Sequence, residues 1–174
     1  SGSGFWAWAR QVARGTGACA CSRYRPRMSS RIRNIAVGLV VRDGWVLAEE
    51  HAVIPGHHRF VRAIGGGIEF GERAEEALRR EFREELGVEL SSVELLAVTE
   101  NLFQLAGEPG HEIVHVFAVR CPELEQLPLG AARPVLDNDS VARWYRLSEL
   151  AEGNPPFYPD GVTAFAMRLQ NREG

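Results

Sequence analysis

Three glutamates, Glu81, Glu84 and Glu85, stand close together in the run Arg79-Arg80-Glu81-Phe82-Arg83-Glu84-Glu85-Leu86-Gly87. On an α-helix, positions i, i+3 and i+4 share one face, so the three carboxylates form an arc. Like charges at that spacing repel one another unless a cation or solvent relieves them. Just upstream, Gly65-Gly66-Gly67 lets the backbone approach a ligand closely and adopt φ > 0. A glycine-rich turn leading into a carboxylate-lined helix suits a hard divalent cation carrying a phosphate. Mg²⁺ takes a few carboxylates, several waters and phosphate oxygens, and Mn²⁺ is the alternative ion. The glutamates are expected to lie exposed at the surface.

The spacing says more than the composition. Gly66 is followed by Glu72, and then by Arg80-Glu81, an apolar residue, Glu84-Glu85, and Gly87-Val88. Residues 66–88 therefore match the box of the Nudix hydrolases, and the chain resembles a member of that family. Taken alone, Arg-Glu-Phe-Arg-Glu-Glu-Leu reads as a solvated, ion-paired helix face, and three glycines read as a loop. The joint pattern at set offsets is what carries the resemblance. One departure is visible: many members have proline before the paired glycines, where this chain has Ile64.

The resemblance implies Mg²⁺-dependent cleavage of a pyrophosphate bond in a nucleoside diphosphate linked to another moiety. The alternative is a Nudix-fold module that binds a nucleotide without hydrolysing it. Glu81, Glu84 and Glu85 are the implied metal and catalytic carboxylates, with the Gly65 carbonyl as a further metal ligand. Arg80 would pair with a box carboxylate and orient it. The general base is a box glutamate or a later acid: Asp137 and Asp139 by their spacing before Trp144, or Glu112, whose other reading is a solvated strand end. Arg59 and Arg62, with Gly66 and Gly67, are candidates for holding substrate phosphates; a plain strand-face role is the alternative for the two arginines.

Composition limits the partners. The chain has 174 residues, enough for one domain with a sizeable core. Its charge is uneven: residues 1–33 hold seven arginines and no acid, while the remainder has a formal charge of −10. An acidic body argues against stable nucleic-acid binding, which depends on neutralising phosphates. It is compatible with a small phosphorylated metabolite delivered with its metal. No apolar run is long enough to span a bilayer. Cys19, Cys21 and Cys121 read as free thiols of a cytoplasmic protein. A homodimer is left open. Residues 1–27 are expected to be a poorly ordered extension, linker or upstream sequence, with the domain at 28–174, because strand periodicity begins only after Met28.

The elements that must position the box can be read coarsely. Ile35 to Val41 suits a strand buried on both faces, and Asp43-Gly44 is a hairpin turn returning as Trp45 to Glu50. Val53 to His58 reads as a loop, and Arg59 to Ile64 as a short strand delivering the chain to the glycines. The helix begins at Glu72 and stops at Gly87. Val93 to Leu105 and Glu112 to Arg120 read as two long strands around a turn at 106–110. Residues 122–134 read as irregular. A short strand at Trp144 to Leu147 and a last helix from Gly161 to Gln170 complete an α/β/α sandwich around a mixed sheet.

Overall fold

The computed structural model describes residues 31–50, 59–105 and 108–173. The expected loop at 53–58, with His57 and His58, lies outside those residues, as do Cys19, Cys21 and the expected extension at 1–27.

β1 (Arg33–Leu39) shows how this sequence builds two cores. Its apolar residues run without interruption, so both faces of the strand must be covered. Ala36 packs with Leu78, Phe82 and Phe117 on one side. Ile35, Val37 and Leu39 pack with Val114, Val116 and Val46 on the other. Asp43 and Gly44 have φ of 50° and 81°, the positive values that a two-residue hairpin turn requires. They join β2 (Val41–Arg42) to β3 (Trp45–Glu50), with Arg42 opposite Trp45.

The expected strand before the glycines is two strands broken at Ala63: β4 (Val61–Arg62) and β5 (Ile64–Gly67). The three glycines therefore lie in a strand rather than a loop, with Gly65, Gly66 and Gly67 opposite Val37, Ala36 and Ile35 of β1. β6 (Ser92–Leu105) and β7 (Glu108–Arg120) form the long hairpin. β7 begins earlier than the sequence suggests, because Gly110 pairs with Phe103 and the aromatic ring lies over the bare glycine. The first sheet has the order β5-β1-β7-β6, with β1 and β7 parallel and the other pairs antiparallel.

The segment at 122–134 is not all irregular. It contains a helical turn, α2 (Pro122–Glu125), and β8 (Ala132–Pro134), which pairs with β9 (Val141–Arg146). The second sheet runs β10-β4-β3-β9-β8, where β10 is Phe157–Tyr158 and β2 attaches to β3. The box helix, α1 (Ala74–Leu86), covers one side; α3 (Leu147–Ala151) and α4 (Val162–Glu173) cover the other. The result is the expected α/β/α sandwich, with its strands divided between two mixed sheets.

The seat of α1 depends on Gly38. A Cβ there would lie 2.9 Å from Cε2 of Phe82 and 3.2 Å from Cγ1 of Val119. Phe82 and Val119 are themselves buried. Overpacking a filled core costs about 1–3 kcal/mol. Gly38→Ala should therefore lower unfolding free energy by roughly that amount in urea titration, and Phe82→Leu on the same background should recover part of the loss.

Candidate active site

α1 is fixed at both ends. At its start, Glu76 Oε2 accepts a hydrogen bond of 2.9 Å from the Arg73 N–H. At its end, Gly87 adopts φ 66° and its N–H donates to the Arg83 carbonyl at 3.0 Å, the left-handed stop that glycine favours. The last carbonyls are then met from outside. Arg133 donates to Leu86 O through Nε at 2.9 Å and Nη2 at 2.7 Å, and Leu136 N–H donates to Glu85 O at 2.8 Å. The helix end and the loop after β8 thus satisfy each other's backbone groups.

Glu72 lies just before the helix and faces back along it. Arg80 grips it with a two-pronged pair, Nε to Oε1 and Nη2 to Oε2, both 2.9 Å. The same guanidinium donates to Gly67 O at 2.9 Å, Glu81 Oε1 at 2.7 Å and Glu84 Oε2 at 3.2 Å. Such a fork has fixed geometry, so Arg80 sets the position of the glycine strand and the box carboxylates together. Its hydrogen bonds hold the Glu72 carboxyl below the ordinary carboxylate value, against the opposing effect of burial.

Two of the three carboxylates are buried, against the expectation that all would lie exposed. Glu81 and Glu85 are only 1% and 5% exposed, because α1 lies directly on β5. Glu84 turns outward, its side chain 42% exposed. A Cβ on Gly66 would lie 2.6 Å from Glu81 Cδ, so a glycine is required here by close approach rather than by φ. Burial raises the Glu81 carboxyl above its ordinary value, and Arg80 only partly offsets this. Glu85 is raised much further, first by burial and then by the charges of Glu49, Glu81 and Asp137.

Other expected residues fall in distinct places. Asp137, exposed on the loop tied to Glu85 O, is the loop acid whose charge reaches Glu85; Asp139 is exposed two residues on. Arg62 also acts on Glu85, with the opposite sign. Arg59 points elsewhere: it pairs with Glu50 at 3.0 Å and donates to the Tyr145 hydroxyl at 3.1 Å. Glu112 is 1% exposed rather than a solvated strand end. It accepts from Arg33 Nη1 at 3.2 Å and Asn101 Nδ2 at 3.1 Å, across three neighbouring strands. Gly65 has φ 137° and a Cβ there would strike the Ala36 carbonyl.

Glu49 is the residue that sequence reasoning missed. It is buried in β3, opposite Arg62, with Ser140 Oγ and Asn138 Nδ2 donating to its Oε1. Its signal in sequence is faint: an acid at an inward-facing position of a strand. The same holds for Asn101, whose Oδ1 is buried without a partner.

Glu81 Oε2 is likewise buried and accepts no hydrogen bond. An orphaned carboxylate oxygen beside a second buried carboxylate fits a hard divalent cation, which would supply the missing partner and relieve the repulsion. Among the described residues, no three acid, histidine or cysteine side chains already converge as a cage, and Arg80 engages the other oxygen of Glu81. Glu81 and Glu85 are the side chains that would hold the ion.

A glycine strand against a carboxylate-bearing helix, inside this sandwich, defines a Nudix fold. The NUDIX domain pattern matches residues 32–164, and the chain belongs to that family. Nucleoside triphosphatase NudI of Escherichia coli O139:H28 and of Shigella flexneri are each 46% identical over 69 residues, 37% of this chain and 47% of the relative. The chain thus spans about half the length of these curated relatives. Among solved structures, a NUDIX hydrolase from Nitrosomonas europaea superposes with TM-score 0.58 at 17% identity, covering 82% of this chain and 90% of that one. The E. coli ORF135 protein gives TM-score 0.55 at 21% identity, covering 80% and 91%. A MutT NUDIX hydrolase from Burkholderia pseudomallei gives 0.52 at 23%, covering 79% and 97%. At these identities the structures share the fold.

Two outcomes follow from this geometry. Gly66→Ala should push Glu81 aside and lower divalent-cation affinity and turnover by roughly a hundredfold, the cost of misplacing a site group by about 1 Å; titration calorimetry with Mn²⁺ reads the first. The second concerns pH. Glu85 is raised in the folded chain above the value near 4.5 that it has when free. The folded state therefore retains a proton that the unfolded state releases, so stability falls as pH rises from about 4.5 through the raised value. In EDTA, Glu85→Gln should flatten this decline and melt higher than wild type at pH 8; coincident melting curves across the range would count against it.

Proposed function

We propose that this protein is a divalent-metal-dependent pyrophosphohydrolase acting on a nucleoside diphosphate linked to a further phosphate or other moiety. The observation that carries this reading is the buried Glu81 Oε2 without a partner, beside buried Glu85 and under Gly66. A pure binding module has no need to bury two like-charged carboxylates together. The named activity of the NudI relatives, nucleoside triphosphatase, supports the nucleotide part over the stretch they share.

The chemistry is attack by water on one phosphorus, with release of the bridging oxygen to the leaving phosphate. It is slow unaided because anionic phosphates repel an oxygen nucleophile, so charge neutralisation and positioning are what the protein must provide. Mg²⁺, when bound, would neutralise the phosphates and lower the pKa of a water. Glu81 and Glu85 would hold that ion. Arg80 keeps Glu81 aimed and the glycine strand in place. Glu84 and Asp137 stand at the open side, where a carboxylate is able to take the water's proton. Arg62, whose charge acts on Glu85, is the candidate for contacting substrate oxygens there.

Glu81→Gln and Glu85→Gln should each lower kcat by roughly two to four orders of magnitude, the scale of losing a metal-centred or proton-transfer function. Phosphate release with Mg²⁺ across nucleoside triphosphates, nucleotide sugars and dinucleoside polyphosphates reads the activity. Retained nucleotide binding without turnover in the wild type, at any divalent cation, would instead favour the non-catalytic module.

A further inference from the structure

Residues 135–140 join β8 to β9, and the loop is closed by the Val135 N–H donating to Ser140 O at 3.0 Å. Its first half is tied to α1, where Leu136 N–H donates to Glu85 O at 2.8 Å. Its second half is tied to β3, where Ser140 Oγ donates to Glu49 Oε1. Asn138 stands between the two anchors, half-buried, with exposed Asp137 and Asp139 on either side.

A primary amide offers N–H donors on its nitrogen and an acceptor on its oxygen. Asn138 uses both ends. Its Oδ1 accepts from the Ser140 N–H at 2.7 Å. Its Nδ2 donates to Glu49 Oε1 at 3.2 Å and to Asp137 Oδ1 at 3.1 Å. A flipped amide would set its oxygen against both carboxylates and its N–H groups against the Ser140 N–H, so the network allows one orientation. The loop turn by itself asks for less. Asn, Asp and Ser all accept from the N–H two positions on and so form such a turn. The donor bonds are additional, and both end on carboxylates. One carboxylate is the next-door Asp137; the other, Glu49, lies 89 positions earlier and is 4% exposed.

A flat, rigid group thus ties an exposed acid to one that packing has already fixed. The tie differs from the one Glu84 makes. Glu84 accepts from the Arg80 guanidinium at 3.2 Å, and a cation so close offsets its charge. The Asn138 amide is neutral, so its bond orients Asp137 without cancelling charge. A proton acceptor needs both its charge and a fixed position within reach of the proton.

We propose that Asn138 is a positioning residue for the reaction: anchored on Glu49 and Ser140, its amide holds the Asp137 carboxylate at the open side of the site, where Asp137 takes the proton of the attacking water. The water oxygen bonds to phosphorus as its proton passes to Asp137, and the bridging oxygen leaves with the electron pair of the broken bond. The assignment rests on the pyrophosphohydrolase reading and selects Asp137 over Glu84 within it.

The test uses the full chain, Mg²⁺ and whichever nucleoside triphosphate, nucleotide sugar or dinucleoside polyphosphate the wild type turns over. Asn138→Ala should lower kcat by about tenfold to a hundredfold, the scale of misplacing a reacting group by about 1 Å, with little change in KM. Its Mn²⁺ affinity by calorimetry should stay near the wild-type value, because Glu81 and Glu85 are untouched. Asn138→Ser keeps an acceptor for the Ser140 N–H but is too short to bridge the carboxylates, and should lose as much kcat as Asn138→Ala. Asp137→Asn should lose more, and adding Asn138→Ala to it should cost little further, since both act through one carboxylate.

Wild-type kcat in Asn138→Ser would show that the turn alone matters and overturns the proposal. So do additive losses in the double variant, or a collapse of Mn²⁺ affinity in Asn138→Ala, which mark a structural role. Hydrogen exchange at the Asn138 side-chain amide, read by NMR on ¹⁵N-labelled wild type, tests the bridge without turnover. Slow exchange supports it, and the rate of a solvent-exposed amide overturns it. Slow exchange in a chain that turns over no substrate sinks the hydrolase reading and leaves the bridge standing.

Discussion

The repulsion between buried carboxylates is the constraint around which the rest of the site is arranged. Glu81 and Glu85 lie one turn apart on α1 and are both nearly inaccessible, with Glu49 close enough to raise Glu85 further. Burial of this kind costs several kcal/mol per uncompensated charge, so it persists only where something repays it. Arg80 repays part through its bonds to Glu81, Glu72 and Glu84. The remaining oxygen of Glu81 has no partner, and a cation there would supply one. Stability given up in the metal-free chain would be recovered on binding such an ion, since an ion that binds only the folded state stabilises it by mass action.

That constraint explains the packing beneath it. Two carboxylates on one helix face reach β5 only if the strand has no side chain in the way, hence Gly66. The helix comes close to the sheet only if β1 also yields, hence Gly38 under Phe82. α1 is stopped at Gly87 and clasped there by Arg133 and by the Leu136 N–H, which carries the loop with Asp137 to the open side of the site. Ser140 and Asn138 on the same loop donate to Glu49. The loop is therefore held from both the helix and the second sheet, and rigid support of this sort is what keeps site groups within working tolerance.

The charged side chains fall into separate groups. Carboxylates gather around α1, while Arg33 at the start of β1 pairs with the buried Glu112. Arg59, bound to Glu50 and Tyr145, belongs to neither group. Two arginines only three positions apart in sequence thus differ in setting, because Arg59 precedes β4 whereas Arg62 lies within it, opposite Glu49.

The sequence by itself determined the box. Glycines, Arg80, Glu81, Glu84 and Glu85 were legible because their relations are local: helical periodicity places i, i+3 and i+4 on one face whatever the rest of the chain does. The Asp43-Gly44 hairpin and the doubly buried β1 were legible for the same reason, being written in neighbouring residues. Only the tertiary structure decided that Glu81 and Glu85 are buried, since depth depends on how closely a helix and a strand far apart along the chain approach each other. It also decided that Glu49 stands beside Glu85, that Asp137 is the loop acid whose charge reaches it, and that Glu112 joins Arg33 and Asn101. Those relations cross strands separated by dozens of residues, and strand register, set by the packing of the whole sheet, carries no local mark.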